Sequence, residues 1–188
     1  YIDGTGTVVW EIDTAIVDPI LKVDGNYILI AEKGRNKICL YIDNKLQYDV
    51  DDPDTVMSAE LSSNGDVVVV TDKSSYRGGI SVYNKSGEQI FSWASGSDAV
   101  ICADISAASR SVAVALLNSD VTAKTTVQLF NVNETESYAK IEMPDTVVYE
   151  LQFVGDKVNA FGDNRVTGIS SSGKIVYDND FSNVQLTH

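Results

Sequence analysis

Glu60, Asp104 and Glu150 are the side chains with the clearest claim to chemistry in this 188-residue chain. Each directly precedes an apolar residue (Leu61, Ile105, Leu151), and each of those stands four positions before a turn residue (Gly65, Ser109, Gly155). Ile20 fills the same slot ahead of Leu21 and Gly25. Carboxylates recurring at one level of a repeated strand can ring a cation or an amine. They can equally accept hydrogen bonds from neighbouring backbone, the usual fate of buried polar groups. Two suitably placed carboxyl groups would also suffice for glycoside hydrolysis, although no spacing singles out a pair.

Other candidates carry less. Asp49, Asp51, Asp52 and Asp54 crowd around Pro53 in a way that suits a hard cation, but without the glycine and closing glutamate of an EF-hand loop. Asp and Pro are ordinary turn formers, so a solvated turn is the reading adopted, with no metal assigned. Cys39 and Cys102 form no metal or redox motif and are read as buried free thiols. The single histidine, His188, is terminal, where no third group would hold an imidazole for nucleophilic catalysis. No catalytic residue, metal ligand or cofactor site is therefore assigned. Glu60, Asp104 and Glu150 stand as a candidate axial ligand ring.

The elements that position these residues follow from repetition. Trp10, Tyr48, Phe91, Tyr138 and Tyr177 each lie four residues after a turn position (Gly6, Asn44, Gly87, Glu134, Gly173), and they recur every forty-odd residues. The column Leu21, Leu61, Ile105, Leu151 keeps the same rhythm. Two residues earlier stand Pro19, Ala59, Ala103 and Tyr149, and two earlier again Val17, Met57, Ile101 and Val147. Alternation of this kind predicts a first strand with one apolar face. In the second unit, strands are predicted at 56–62, 67–71, 80–83 and 89–93, with a tight turn at Asn64-Gly65-Asp66. Third strands are expected at 38–42, 126–131 and 166–170, and fourth strands at 46–50, 137–141 and 174–177. Four consecutive valines, Val67 to Val70, predict burial on both faces.

The fold class is thus all-β: a β-propeller of four-stranded antiparallel blades. Residues 1–188 are read as one propeller or propeller segment. Whole blades cover roughly 14–53, 54–97, 98–145 and 146–181, with partial blades at 1–13 and 182–188. The ends either build a composite blade or belong to a larger ring from which the chain is a segment, the reading slightly preferred. The aromatic column is expected to pack between blades.

Ile2-Asp3-Gly4-Thr5-Gly6-Thr7-Val8-Val9-Trp10 resembles the quinoprotein-like propeller repeat, in which an apolar residue and Asp precede a Thr-Gly turn and a strand ending in Trp. The stretches 83–91 and 169–177 are degenerate copies, with Phe91 and Tyr177 replacing Trp. The resemblance implies blade architecture and a likeness to bacterial cell-surface propellers of unassigned function. It implies no quinone, since the adjacent cysteine pair is missing. Trp-Asp (WD40-like) repeat proteins are the neighbouring family, though neither Gly-His nor Trp-Asp occurs as a signature.

A net charge of −13, with scattered basic residues, argues against nucleic acid and anionic membrane surfaces. No apolar run approaches the roughly 18 residues of a spanning helix. The expectation is a soluble, non-catalytic binding or scaffold module, extracytoplasmic or at the cell surface, with a protein partner or a glycan as ligand. Its longest loops, 74–79 and 118–124, are the expected contact regions. A glycan-active hydrolase, a cation- or small-ligand-binding propeller, and a purely structural segment of a larger surface protein are the alternatives.

Overall fold

The computed structural model describes residues 2, 4–119 and 122–182. Sixteen strands form four sheets, each an antiparallel meander in which sequential strands are neighbours. The first sheet holds β1 (Pro19–Asp24), β2 (Tyr27–Glu32), β3 (Lys37–Ile42) and β4 (Lys45–Asp51). The second holds β5 (Thr55–Leu61), β6 (Val67–Asp72), β7 (Gly79–Tyr83) and β8 (Gln89–Ala94). The third holds β9 (Ala99–Ile105), β10 (Ser111–Asn118), β11 (Lys124–Asn131) and β12 (Ser137–Pro144). The fourth holds β13 (Val148–Val154), β14 (Lys157–Gly162), β15 (Arg165–Ile169) and β16 (Ile175–Asp180). This is the all-β propeller architecture. The predicted 182–187 strand lies outside the described residues, apart from Ser182.

Burial follows strand position. The second strands β2, β6 and β10 are buried on both faces, whereas β14 is buried on one face only and β16 is exposed throughout. Successive first strands approach one another, β1 to β5, β5 to β9 and β9 to β13, so they form the hub.

The valine run shows why both faces are apolar. Val67 and Val69 pack with Leu29, Leu40 and Tyr48 of the first sheet, while Val68 and Val70 pack with Ile105, Val112 and Phe130 of the third. β10 divides the same way: Val112, Val114 and Leu116 face the second sheet, Ala113 and Ala115 the fourth. β6 and β10 therefore each serve two seams at once, as period-two geometry allows. Phe130 is the largest fully buried side chain, with ring centroids 5.7 Å from Phe91 and 5.0 Å from Trp93.

The aromatic column is half right. Tyr48 and Phe91 are buried between sheets, and Trp10 packs edge-on against Tyr41 with centroids 5.2 Å apart. Tyr138 and Tyr177 remain 42% and 39% exposed. Tyr138 is displaced by register. Leu40, Val82 and Gly168 pair with Tyr48, Phe91 and Tyr177, but their counterpart Leu129 pairs with Ala139. The β11–β12 turn is one residue longer than those before β8 and β16, which pushes Tyr138 onto the bulge. Turn glycines mark the true slot. Gly87, at φ 81°, lies against the Tyr48 ring, and Gly173, at φ 76°, lies against Ala139. A Cβ on either glycine would collide with the preceding sheet. Tyr177 occupies the correct slot, but no described sheet follows it. Its ring lies across Gly168 and its hydroxyl donates to Asn159 Oδ1 at 2.8 Å.

At the start of the chain, Ile2 bridges Val8 antiparallel and Gly6 turns at φ 84°, while Asp3 lies outside the described residues. Trp10, Ile12 and Ile16 continue over Ile28, Ile30 and Cys39 on the first sheet's outer face.

Candidate functional site

The first strands reach the hub with their side chains alternating between the two seams. At the hub they line a cleft of about 700 Å³, which receives Glu60, Asp104 and Glu150 together with Lys22, Tyr149 and Gln152. The three candidate carboxylates are therefore brought together, but not at one level. β5, β9 and β13 carry bulges at Met57, Ile101 and Tyr149, where the pairing register shifts. Counted from that bulge, Glu60 and Asp104 match Gln152, whereas Glu150 matches Ser58 and Cys102. Glu150 thus sits two residues, about 7 Å of strand, from the level of the other two acids.

The displacement has a local cause. The β13–β14 hairpin is tight, with Val154 pairing Lys157, whereas β5 and β9 end in longer turns between Leu61 and Val67 and between Ile105 and Val112. Counting back from a turn glycine preserves the strand face and loses the depth. The same bulges explain why Met57 and Tyr149 are exposed while Ala59, Ala103, Ile105 and Leu151 are buried.

Each acid meets a different environment. Lys22 Nζ, from the first sheet, donates to Glu60 Oε1 on the second at 2.7 Å. Both side chains are more than a third exposed, so this pair contributes little to stability. Asp104 Oδ2 accepts the Phe153 N–H of the fourth sheet at 2.6 Å, and Oδ1 accepts its own strand's Ile105 N–H at 2.8 Å. Ser106 Oγ adds a parallel link by donating to Gly155 O at 2.8 Å. Burial pushes the Asp104 carboxyl up to about 6; the two N–H donors and Lys22 oppose the rise, and Glu60 adds to it. Burial, followed by the charges of Glu150, Glu60 and Asp104, pushes the Cys102 thiol up to about 12. Cys102 is accordingly held as the protonated thiol at neutral pH.

Lys22 and Gln152 line this cleft without any repeat in the sequence to mark them. Alternation from Ile20 reaches Lys22, which pairs with Leu29 on the face toward the second sheet. Its presence leaves the cleft with a resident ammonium among its carboxylates.

The aspartate-rich loop is taken apart by the fold. Asp52 is not solvated: it is 1% exposed, accepts the Tyr83 hydroxyl at 2.7 Å and caps the Asp54 N–H at 2.8 Å. Asp54 pairs with Lys73 at 3.0 Å, and Asp49 with Lys37. The buried Asp52 ties the first sheet's exit to the second sheet, because a buried carboxylate needs such a donor. Among the described residues no group of three or more acidic, histidine or cysteine side chains is placed to hold a metal ion. Cys39 and Cys102 are free, Cys39 buried and Cys102 partly so. Tyr48 carries the one buried side-chain polar atom among the described residues without a hydrogen-bond partner, its hydroxyl. His188 lies outside the described residues. No helix among the described residues is long and apolar enough to cross a membrane.

Solved structures with the same fold include BamB from Moraxella catarrhalis. It has a TM-score of 0.61 at 12% identity, over 92% of this chain and 56% of that one. Sqt1 from Saccharomyces cerevisiae gives 0.61 at 12% identity over 87% and 48%. The computationally designed Ika8 protein gives 0.59 at 16% identity over 85% and 48%. The chain thus spans about half the length of these structures. Comparison with curated protein sequences gives no match. A sequence profile described as a family of unknown function, DUF5711, matches residues 1–185.

Proposed function

The chain belongs to the DUF5711 family, and we propose that it is a non-catalytic binding or scaffold propeller whose hub cleft takes a cationic or amine-bearing ligand. The observation that carries this reading is the convergence of Glu60, Asp104 and Glu150, from three sheets, on one cleft. Lys22 already places an ammonium there, against Glu60. Two of the acids serve internal partners, so Glu150 is the acid to which a ligand amine would bind directly. The rigid stacked sheets suit a platform that presents loops to a protein partner. The repeat's resemblance to bacterial cell-surface propellers supports placing that partner outside the cytoplasm. The test is calorimetric titration with spermidine and with calcium, on the parent chain and on Glu150→Gln. Saturable heat in the parent, lost in the variant, is expected. The absence of both heat and thermal shift from the parent removes the proposal.

A second reading, a glycan-active hydrolase, draws on one observation: a carboxyl pushed up to about 6 has the proton affinity of a general acid. Both Asp104 oxygens, however, accept backbone N–H groups, which suits a clasp between sheets better than a proton donor. Turnover of any member of a glycoside panel, abolished by Asp104→Asn, would replace the binding reading with this one.

A further inference from the structure

The outer face of the first sheet is covered on one side only. Ile28, Ile30 and Cys39, on β2 and β3, are buried beneath Trp10, Ile12 and Ile16. On the same face, hub-side Leu21 and Val23 stay 60% and 59% exposed. They border an apolar groove of about 500 Å³ whose opposite wall is Ile2 and Val8.

The interior seams show what normally lies there. Residues of β5 and β9 that point back toward the preceding sheet, Ala59, Ala103 and Ile105, are buried against strands of that sheet. The preceding sheet's outer strand covers the rest of the seam, as Tyr48 of β4 covers Gly87. Trp10 stands to Tyr41 as an outer-strand ring stands to the following sheet. Ile2 and residues 4–12 thus occupy the position of a blade's two outer strands, antiparallel through Ile2 and Val8. The place of that blade's two inner strands is the groove.

We infer that residues 2–12 are the outer half of a further blade, and that its inner half is an antiparallel strand pair of the same gene product which adds at Ile2 and lays alternate apolar side chains on Leu21 and Val23. The groove is continuous with the interface that Trp10, Ile12 and Ile16 already make. It has the hub-side location that β1, β5 and β9 fill in the three seams between described sheets. The solved structures above, of about twice this chain's length, have the material for such strands. A β-strand pair also matches the groove chemically, since it offers apolar side chains to the walls and backbone hydrogen bonds to the open edge at Ile2.

The test introduces Leu21→Cys, and separately Val23→Cys, into the 188-residue chain and into the complete gene product, then measures labelling by a thiol reagent. Leu46→Cys, on an exposed outer strand, reports general accessibility. Labelling of positions 21 and 23 at least ten-fold slower in the complete product, with position 46 unchanged, is expected. Equal labelling at 21 and 23 in both proteins overturns the inference. So does a gene product with no polypeptide beyond these residues, or protection that appears in the 188-residue chain as its concentration rises, which would assign the groove to a second copy.

Discussion

The first and fourth sheets each present a face that no other described sheet covers, and they differ in what lies on it. The first sheet's free face is apolar, with Leu21, Val23, Ile28 and Ile30 in one surface, and the N-terminal segment is drawn across it. The fourth sheet's free face mixes polar Gln152 and Asn159 with Val154, Phe161, Val166 and Tyr177, and the Tyr177 hydroxyl donates to Asn159 across it. Arg165 secures its outer edge to Asp178 and Asp180 at 3.3 and 3.8 Å. Polar groups on a mixed face can satisfy one another in place, whereas a wholly apolar face gains free energy only by recruiting cover. Identical sheet topology therefore leaves two free faces of different polarity.

The seam between the second and third sheets is the fully covered reference for both ends. Phe130→Ala there should cost about 3–5 kcal/mol in denaturant unfolding, because a buried aromatic leaves a cavity. A loss under 1 kcal/mol would mean the sheets do not share a cooperative core. Trp10→Ala should cost about 2–3 kcal/mol by uncovering the first sheet's apolar face. Enhanced binding of a hydrophobic dye should accompany that loss, and an unchanged dye signal would break the contrast drawn here.

Asp104 tests the seam that the fourth sheet makes at the hub. Its carboxyl is raised to about 6 in the fold from an ordinary value of 3.8, so the native state binds the proton more tightly than the unfolded chain. This contribution is fully favourable below about pH 4 and is lost as pH rises through 6. Asp104→Asn keeps an oxygen acceptor for the Phe153 N–H and removes the charge. It should gain about 1–2 kcal/mol at pH 8 relative to the parent and lose that advantage at pH 4, read from melting temperatures across pH. A constant difference at both pH values would contradict the raised carboxyl. Smallest of all, Tyr177→Ala should shift stability by only about 0.5 kcal/mol, since its ring is partly exposed. A loss as large as that of Phe130→Ala would show the fourth sheet's free face to be covered after all.

How much was legible depended on whether a feature repeats. Val67 to Val70 announced a strand buried on both faces, and the structure divides those four side chains between two seams. The aromatic column was sound at Tyr48 and Phe91 and slipped by one at Tyr138, because one extra turn residue ahead of β12 moves the slot to Ala139. The candidate ring slipped by two at Glu150, because β13 runs into a tighter hairpin than β5 or β9. Both errors share a cause: a count from a turn assumes a constant turn length, and a bulge absorbs residues without disturbing the apolar pattern. Lys22 was missed since it breaks no pattern; only the stacking of β1 on β5 brings it to Glu60.

Alternation and repetition, properties of neighbouring residues, were enough to determine the strands, their two-sided burial and the forty-residue rhythm, because side chains on a strand point to opposite faces whatever lies beyond. Depth was a different matter. Which carboxylates share a level, which aromatic enters a seam, why Asp52 is buried, and which end of the array is left apolar were decided by turn lengths, bulges and the stacking of sheets. Those quantities couple residues far apart in the chain, and no local window of sequence contains them.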